Sequence, residues 1–433
     1  MAEYGELVTR QRTFFHTGQT KEMGFRTRAL NKLQDAIGKH EKDLLAALRK
    51  DLNKSEAEAY SSEIRIVLEE IRFTLENISS WMAPKQVDTP SFLGDATSVI
   101  YPEPYGVALI ISPWNYPFQL AVAPLVGAMA AGNCAVLKPS EFTPETSHML
   151  AKLVREDFPE EYIAVVEGEV EASTALLKEK FDTIFFTGST PVGKVVMEAA
   201  AKHLTPVTLE LGGKSPCIVH GDADLESAAK RIARGKFLNA GQTCVAPDYL
   251  LIQREVKDAF LAELKAAIHA LYGEDITRNP DFPRIVSEKH FNRLSAFLSD
   301  GELVSGGRTD ASRLFIEPTI LDSVTWEDPV MRDEIFGPIL PVLVYDDLTE
   351  ALDKITSRPK PLALYVFSEN TEVQDRILGS VSFGGGCVNE TLAHLTSPFL
   401  PFGGVGESGM GSYHGQGSFD TFSHKKSILK RKA

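Results

Sequence analysis

A chain of 433 residues is long enough for about three domains of ordinary size with large buried cores. Its 59 acidic against 45 basic side chains give a net charge of −14, which argues against nonspecific nucleic-acid binding. The first 60 residues are rich in Lys, Arg and Glu rather than apolar, so no secretory signal is expected. The longest apolar run, Leu120 to Ala131, contains Pro124 and Gly127 and falls short of the roughly 20 residues needed to span a bilayer. Four cysteines, Cys134, Cys217, Cys244 and Cys387, without a paired C-x-x-C motif, imply a reduced, cytoplasmic protein with neither disulfides nor zinc.

From about residue 21 to 83, apolar positions recur at helical spacing among many charges. Leu30, Leu33 and Ile37 are followed by Leu44, Leu45 and Leu48, so helices packed on one face are expected. Pro84, Pro90 and Gly94 then break the pattern and lead into a short extended stretch, Ser98 to Tyr101. Between Val107 and Glu210, apolar strands are expected at 107–112, 134–138, 162–166, 183–186 and 206–209, separated by helical stretches. That alternation suits βαβ units and a parallel sheet. Thr143 before Pro144 and Thr190 before Pro191 place a capping residue ahead of a proline at the first helical position, predicting helices from 144 and 191. A second strand-helix series runs from Ser215 to about Val388, with strands near 215–219, 247–252, 339–345 and 362–367. The chain closes on a basic cluster, Lys425 to Lys432, which reads as a solvated tail rather than a lipid-binding one.

Two side chains offer covalent chemistry. A thiolate at Cys244 could attack an electrophilic carbon, and a carboxylate at Glu210 could later activate water to release the product. Most free cysteines are small buried apolar residues, but Cys244 follows Gly241, Gln242 and Thr243, unusual neighbours for a residue that only packs. Glu210 also reads as a strand-end carboxylate in water, although Gly212-Gly213 implies a tight turn that exposes it near a ligand.

Several loops at strand ends are candidates for a cofactor. Gly188-Ser189-Thr190-Pro191-Val192-Gly193 follows a strand and opens a helix, where free N–H groups and the helix dipole favour a phosphate. The same pattern is compatible with a plain strand-helix turn, and the usual G-x-G-x-x-G fingerprint is absent. Lys138 can donate to ribose hydroxyls and Glu141 can accept from them, or the pair is a solvated charged loop. Glu334 and Phe336 offer a carboxylate and an apolar edge in a locally acidic turn. Asn115, between Trp114 and Tyr116 and flanked by Pro113 and Pro117, is a rigidly held amide suited to donate to an oxyanion, though loop asparagines usually cap turns.

Leu209-Glu210-Leu211-Gly212-Gly213-Lys214-Ser215-Pro216 and Phe237 to Cys244 resemble the two active-site motifs of the aldehyde dehydrogenase superfamily. Tyr101 to Val107, Pro113 to Pro117, Lys138 to Glu141, Phe186 to Ser189, Glu334 to Pro338 and Pro401 to Gly406 follow in the family's order over nearly the whole chain. Gly241 to Asp248 and Gly411 to Gly415 look most like the class 3 branch, which acts on fatty or aromatic aldehydes.

The resemblance implies an α/β fold with a Rossmann-like cofactor domain and a second α/β catalytic domain. Residues 1–84 and 105–211 would form the NAD(P)-binding domain with its N-terminal helices, and 212–397 the catalytic domain. Segments 85–104 and 411–433 would be oligomerisation or bridging elements that support a homodimer. It implies oxidation of a medium- or long-chain aliphatic or aromatic aldehyde to a carboxylate. Cys244 would be the nucleophile, Glu210 the base that activates water, and Asn115 with the Cys244 N–H the oxyanion hole. Thr187, Gly188, Ser189, Gly193 and Gly212 would approach the cofactor, Lys138 and Glu141 its adenosine ribose, and Glu334 and Phe336 its nicotinamide end. The Glu141 carboxylate would favour NAD, with NADP also accepted. Lys214 or the nicotinamide charge would lower the Cys244 pKa, and Asn389 to Leu395 would line the substrate entrance. Two alternatives are weighed. A relative passing its acyl group to coenzyme A or phosphate would typically lack Glu210, and a noncatalytic structural relative would be expected to lose Cys244. No metal, nucleic-acid partner or membrane anchor is expected.

Overall fold

The computed structural model describes residues 2–431; Lys432 and Ala433, the end of the predicted bridging tail, and Met1 lie outside the described residues. A helix at Ala2–His16, which the sequence did not signal, precedes the 30-residue helix Met23–Leu52. The latter buries Leu30, Leu33, Ile37, Leu44, Leu45 and Leu48, the stripe its spacing predicts. It stops at Asn53, whose φ of 57° is left-handed and is tolerated by asparagine. A short helix at Glu56–Ala59 then runs through one π turn, Tyr60–Ile64, into the helix Arg65–Trp81.

The first large sheet has the order Gly409–Met410, Val207–Glu210, Thr183–Thr187, Val107–Ile111, Cys134–Lys138, Ile163–Val165. All neighbours are parallel except Gly409–Met410, which runs antiparallel beside Glu210. From Val107–Ile111 the chain winds outward through two strands, then returns to the other side of the first strand at Thr183–Thr187. The order therefore reverses between those two strands. In open α/β sheets ligands settle in the crevice beyond the carboxyl ends at such a point. Ile111 pairs with Phe186 there, so the loops starting at Ser112 and Gly188 emerge side by side.

Helices begin near both predicted prolines, but their caps differ from expectation. Thr143 precedes the helix Pro144–Asp157 without a side-chain cap bond. Thr190 is the first residue of the helix Thr190–Ala201, and its hydroxyl donates to Glu407 O at 3.0 Å instead. A residue already inside the helix cannot serve as its cap.

The second sheet orders Glu302–Ser305, Thr319–Asp322, Ile339–Tyr345, Tyr249–Gln253, Pro216–Val219, Ala363–Phe367 and Gly385–Val388. Its members are parallel except for the first, an edge strand. Near-continuous apolar strands such as Ala363–Phe367 are buried along their whole length, as parallel sheets covered on both faces require.

The third sheet is small. Lys85–Val87 and Ser423–Arg431 flank Ala96–Pro104 in an antiparallel ribbon. The basic tail is thus a strand from Ser423 to Arg431 rather than loose chain. Its backbone pairs through nine register positions, from Ser423 against Pro104 to Arg431 against Ala96, while its lysines stay exposed. Among the described residues, no helix is long and apolar enough to cross a membrane. The run from Leu120 lies in the helix Gln119–Ala131, which is buried throughout.

Candidate active site

The loops at the carboxyl ends of both large sheets enclose a cavity of about 880 Å³. Cys244, Glu210 and Asn115 all line it, together with Thr187, Gly188, Ser189, Gly212, Glu334 and Phe336.

Glu210 ends the strand Val207–Glu210, paired with Thr187 on one side and Gly409 on the other. Its backbone is therefore fixed while its side chain stays buried at 1% exposure. Both carboxylate oxygens lack a hydrogen-bond partner among the described residues. Burial alone pushes its pKa well above the ordinary carboxylate range, because the charged form loses water and gains nothing in return.

Cys244 arrives through a turn in which Asn239 (φ 50°), Ala240 (φ 52°) and Gly241 (φ 74°) are all left-handed. At Gly241 a Cβ would stand 2.2 Å from Gly337 O, so only glycine permits the close approach inferred from the sequence. Cys244 is only partly exposed, and burial, then Glu334 and Glu210, raises its thiol pKa. The backbone N–H groups of Cys244 and Val245 oppose that rise. Lys214 does not supply the missing positive field. Its ammonium is spent on Asp248 at 2.5 Å, Val330 O at 2.9 Å and Asp333 O at 3.0 Å. The other three cysteines are free as well; burial raises the pKa of Cys134 to about 12 and that of Cys217 further.

Asn115 lies on the loop after Val107–Ile111 and is buried at 2% exposure. Its amide donates to Gln242 O at 3.1 Å, which leaves the second N–H of the group for another acceptor. Tyr116 places its hydroxyl 2.7 Å from Thr243 Oγ1, tying this loop to the cysteine turn. Trp114 lines the cavity and meets His290 and Phe336 edge-on, with centroids 5.2 Å apart in each pair.

At the predicted cofactor end, Thr187 Oγ1 is buried without a partner among the described residues. Gly193 stands behind the cavity wall, where a Cβ would come within 2.8 Å of Leu211. Gly212 lies against the Glu334 carboxylate: a Cβ there would stand 2.2 Å from Glu334 Oε2 and would displace it. Burial first, and then Asp248, pushes the Glu334 carboxyl up to about 8. Phe336 holds a φ of 53°, a strained conformation for an aromatic residue and one that recurs at ligand sites. Lys138 and Glu141 stand outside the cavity wall: Lys138 is buried, donates to Pro139 O at 2.7 Å and sits 3.6 Å from Glu141.

The structure adds wall residues that sequence reasoning missed. Lys194, Arg293, Arg332, Arg358 and Lys360 line the cavity beside Lys214, six cations in all against Glu210, Asp333, Glu334 and Glu407, in a chain of net charge −14. His290 also faces it, from the helix Glu288–Ala296 capped by Ser287. The Ser287-Glu288 start of that helix was a visible signal, but nothing local aims His290 at a site formed by other segments. The predicted entrance segment, Asn389 to Leu395, is not among the residues lining this cavity. Asn389 Oδ1 accepts from Ser368 N at 2.9 Å and Thr391 Oγ1 donates to Arg231 O at 2.8 Å, bonds that brace the second sheet's edge.

The model of the Aldehyde dehydrogenase family matches residues 2–428. The chain is 50% identical to 4,4'-diaponeurosporen-aldehyde dehydrogenase of Staphylococcus aureus over 96% of its length and 92% of that protein. It is 45% identical to the dimeric NADP-preferring aldehyde dehydrogenase of Canis lupus familiaris, covering 100% and 95% respectively. Among solved structures, the substrate-bound state of a Staphylococcus aureus AldH superposes with a TM-score of 0.98 at 48% identity, covering 100% of this chain and 94% of that one. A mutant P. syringae indole-3-acetaldehyde dehydrogenase in complex with NAD+ and IAA gives 0.91 at 28% identity, covering 100% and 89%.

Proposed function

Because this chain belongs to the aldehyde dehydrogenase family, we propose a division of labour among Cys244, Asn115 and Glu210 for its NAD(P)-dependent oxidation of an aldehyde to a carboxylate. The observation that carries it is their convergence, from a strand end and two separate loops, on one cavity of about 880 Å³.

The Cys244 sulfur, having lost its thiol proton to solvent, bonds as the thiolate to the aldehyde carbon, and the carbonyl π pair moves onto oxygen. That oxyanion is met by the free amide N–H of Asn115 and the backbone N–H of Cys244, donors fixed before the charge develops. The same carbon then loses its hydride and becomes a thioester. NAD(P)+, when bound, supplies the hydride acceptor that no side chain can provide. Glu210 takes a proton from water as the hydroxide adds to the thioester, the carbon–sulfur bond breaks, and carboxylate leaves with the thiolate restored. An unpartnered, desolvated carboxylate is a stronger base than one in water, which is the use we assign to the orphaned oxygens of Glu210.

The chain's own residues fit a dinucleotide. The N-terminus of the 12-residue helix Thr190–Ala201 opens on the cavity, where N–H groups and dipole suit a pyrophosphate. Five cations besides the Asp248-bound Lys214 line the same cavity, and Thr187 Oγ1 lacks a partner among the described residues. Glu334 and Phe336 would hold the nicotinamide ribose, and Lys138 with Glu141 the adenosine ribose, the Glu141 carboxylate favouring NAD over NADP. The canine relative is named as NADP-preferring, so both cofactors belong in the assay.

For substrate we propose medium- or long-chain aliphatic or aromatic aldehydes. Trp114, Leu120, Tyr249, Phe297 and Ile355 give the cavity an apolar wall, and the staphylococcal relative is named for a diaponeurosporen aldehyde. We further propose a homodimer bridged by segments 85–104 and 411–433, supported by the word dimeric in the canine relative's name. A cytoplasmic location is supported by four free cysteines. The test is product analysis with NAD+ or NADP+ over a panel of aldehydes, with and without coenzyme A. Carboxylate and reduced cofactor should form in equal amounts without coenzyme A, fastest for long or aromatic aldehydes. Acyl-coenzyme A as the product would overturn the role given to Glu210.

A further inference from the structure

We infer that Lys54 and Glu63 are positioning residues, a buried ion pair that clamps the Asn115 loop against the turn carrying Cys244; this rests on Asn115 acting as the oxyanion donor. Both side chains are 0% exposed. Lys54 stands just past the long helix that ends at Leu52, and Glu63 sits on the π turn Tyr60–Ile64. A π turn interrupts the regular ladder of a helix and recurs at functional sites. Here it places Glu63 against the exit of the oxyanion loop, at Phe118 N and Gln119 N.

Every donor of Lys54 is used. Its ammonium lies 2.5 Å from Glu63 Oε1, donates to the Asn115 carbonyl at 2.9 Å, and stands 4.0 Å over the Tyr116 ring. The other oxygen of Glu63 accepts from Phe118 N and Gln119 N, each at 3.0 Å. Those N–H groups open the helix Gln119–Ala131 and have no partner within it. The loop is thus pinned at its centre, on the Asn115 carbonyl, and at its exit.

The cysteine side is pinned to the same points. Asn239 Nδ2 donates to the Asn115 carbonyl at 2.9 Å and to Gln242 O at 3.1 Å. Asn239 N donates to Glu58 Oε1 at 2.9 Å, so the helical segment that holds the oxyanion loop also holds the left-handed turn before Cys244. Such backbone conformations are strained for residues other than glycine and persist only where the surroundings fix them.

A pair needed for stability alone has cheaper replacements, since well-packed apolar residues of similar size often match or exceed a buried ion pair. What apolar residues cannot do is direct three contacts onto one carbonyl, one ring and one carboxylate. Without Lys54 the Asn115 peptide is free to tilt, and its amide moves off the line to the developing oxyanion. Misplacement by about 1 Å can cost up to ~10²-fold in rate.

The test is a double-mutant cycle read by single-turnover hydride transfer at saturating NAD+. Lys54→Met should slow the step about 10- to 100-fold, with the half-saturating aldehyde concentration and the NAD+ dissociation constant near wild type. Asn115→Ala should slow it about 10²- to 10³-fold. Adding Lys54→Met to Asn115→Ala should cost little more, because a clamp has nothing left to position. If Lys54→Met does not fold, Lys54→Met/Glu63→Gln carries the same cycle without an unpaired buried charge, and keeps an oxygen for Phe118 N and Gln119 N. A full, independent loss from the clamp variant in the Asn115→Ala background would overturn the inference. A wild-type rate for Asn115→Ala itself would instead overturn the oxyanion reading beneath it.

Discussion

Two carboxylates are buried beside the same cavity, and they are opposites. Glu63, at 0% exposure, accepts from Lys54, Phe118 N and Gln119 N. Glu210, at 1% exposure, accepts from nothing among the described residues. Buried polar groups are almost always hydrogen-bonded, so an exception needs an explanation. The satisfied carboxylate holds two loops in register. The unsatisfied one keeps its lone pairs free for water and sits where its basicity is raised. On the roles proposed here, polar satisfaction separates the groups that build the site from the group left to act in it.

The first way to break this contrast lies with the nucleophile. Cys244 lines the cavity with Glu210, whereas Cys134 and Cys217 are packed in the sheets. Cys244→Ser should lower turnover by at least about 10⁴-fold while NAD+ affinity, measured by protein-fluorescence quenching, stays near wild type. Alanine at Cys134, Cys217 or Cys387 should leave most activity. Appreciable turnover in Cys244→Ser would place the chemistry elsewhere.

Stability sharpens the contrast with a smaller effect. Glu63→Gln leaves the Lys54 charge buried and unpaired, which should cost about 3–5 kcal/mol in chemical denaturation. Glu210→Gln should be neutral or stabilising at pH 7, because the carboxylate it removes was desolvated without compensation. The sign also follows from pH. Glu210 has a raised pKa in the folded protein, so the native state binds more protons than the unfolded chain once pH passes the ordinary carboxylate range. Stability must therefore fall as pH rises from there toward the folded pKa. Glu210→Gln should flatten that decline, and an unchanged slope would mean that Glu210 is not desolvated in solution.

Much of the site was legible in the sequence because its chemistry is contiguous. Glu210 stands at the end of an apolar strand before Gly212-Gly213, and Cys244 follows a glycine-containing turn, so each motif carries both its reactive group and the backbone that exposes it. Nine strands of the two large sheets were legible for the same reason, as short apolar runs bounded by turn residues, whereas Glu302–Ser305, Thr319–Asp322, Gly385–Val388 and Gly409–Met410 were not. Lys54 and Glu63 were not legible. They are isolated charges in a helical region, and their pairing depends on a π turn and on a loop some 60 residues away in sequence, as the Lys54 to Asn115 separation of 61 shows. The basic tail is solvated as expected, but its strand was not legible, because exposed charged side chains still leave the backbone free to pair with Ala96–Pro104. Lys214 misled because its nearness to Glu210 in sequence says nothing about Asp248, which claims it in space.

The central claim is that Cys244 carries the acyl group and Glu210 releases it. Rapid mixing of Glu210→Gln with NAD+ and aldehyde tests this most directly. The amide is nearly isosteric but cannot take a proton from water, so hydride transfer should proceed once and stop. A burst of about one NADH per active site is predicted, followed by steady-state turnover about 10²- to 10⁴-fold below wild type. The intact protein should gain the mass of the acyl group on Cys244, released by hydroxylamine. Wild-type steady-state turnover, or neither burst nor acyl adduct in the variant, would contradict the account.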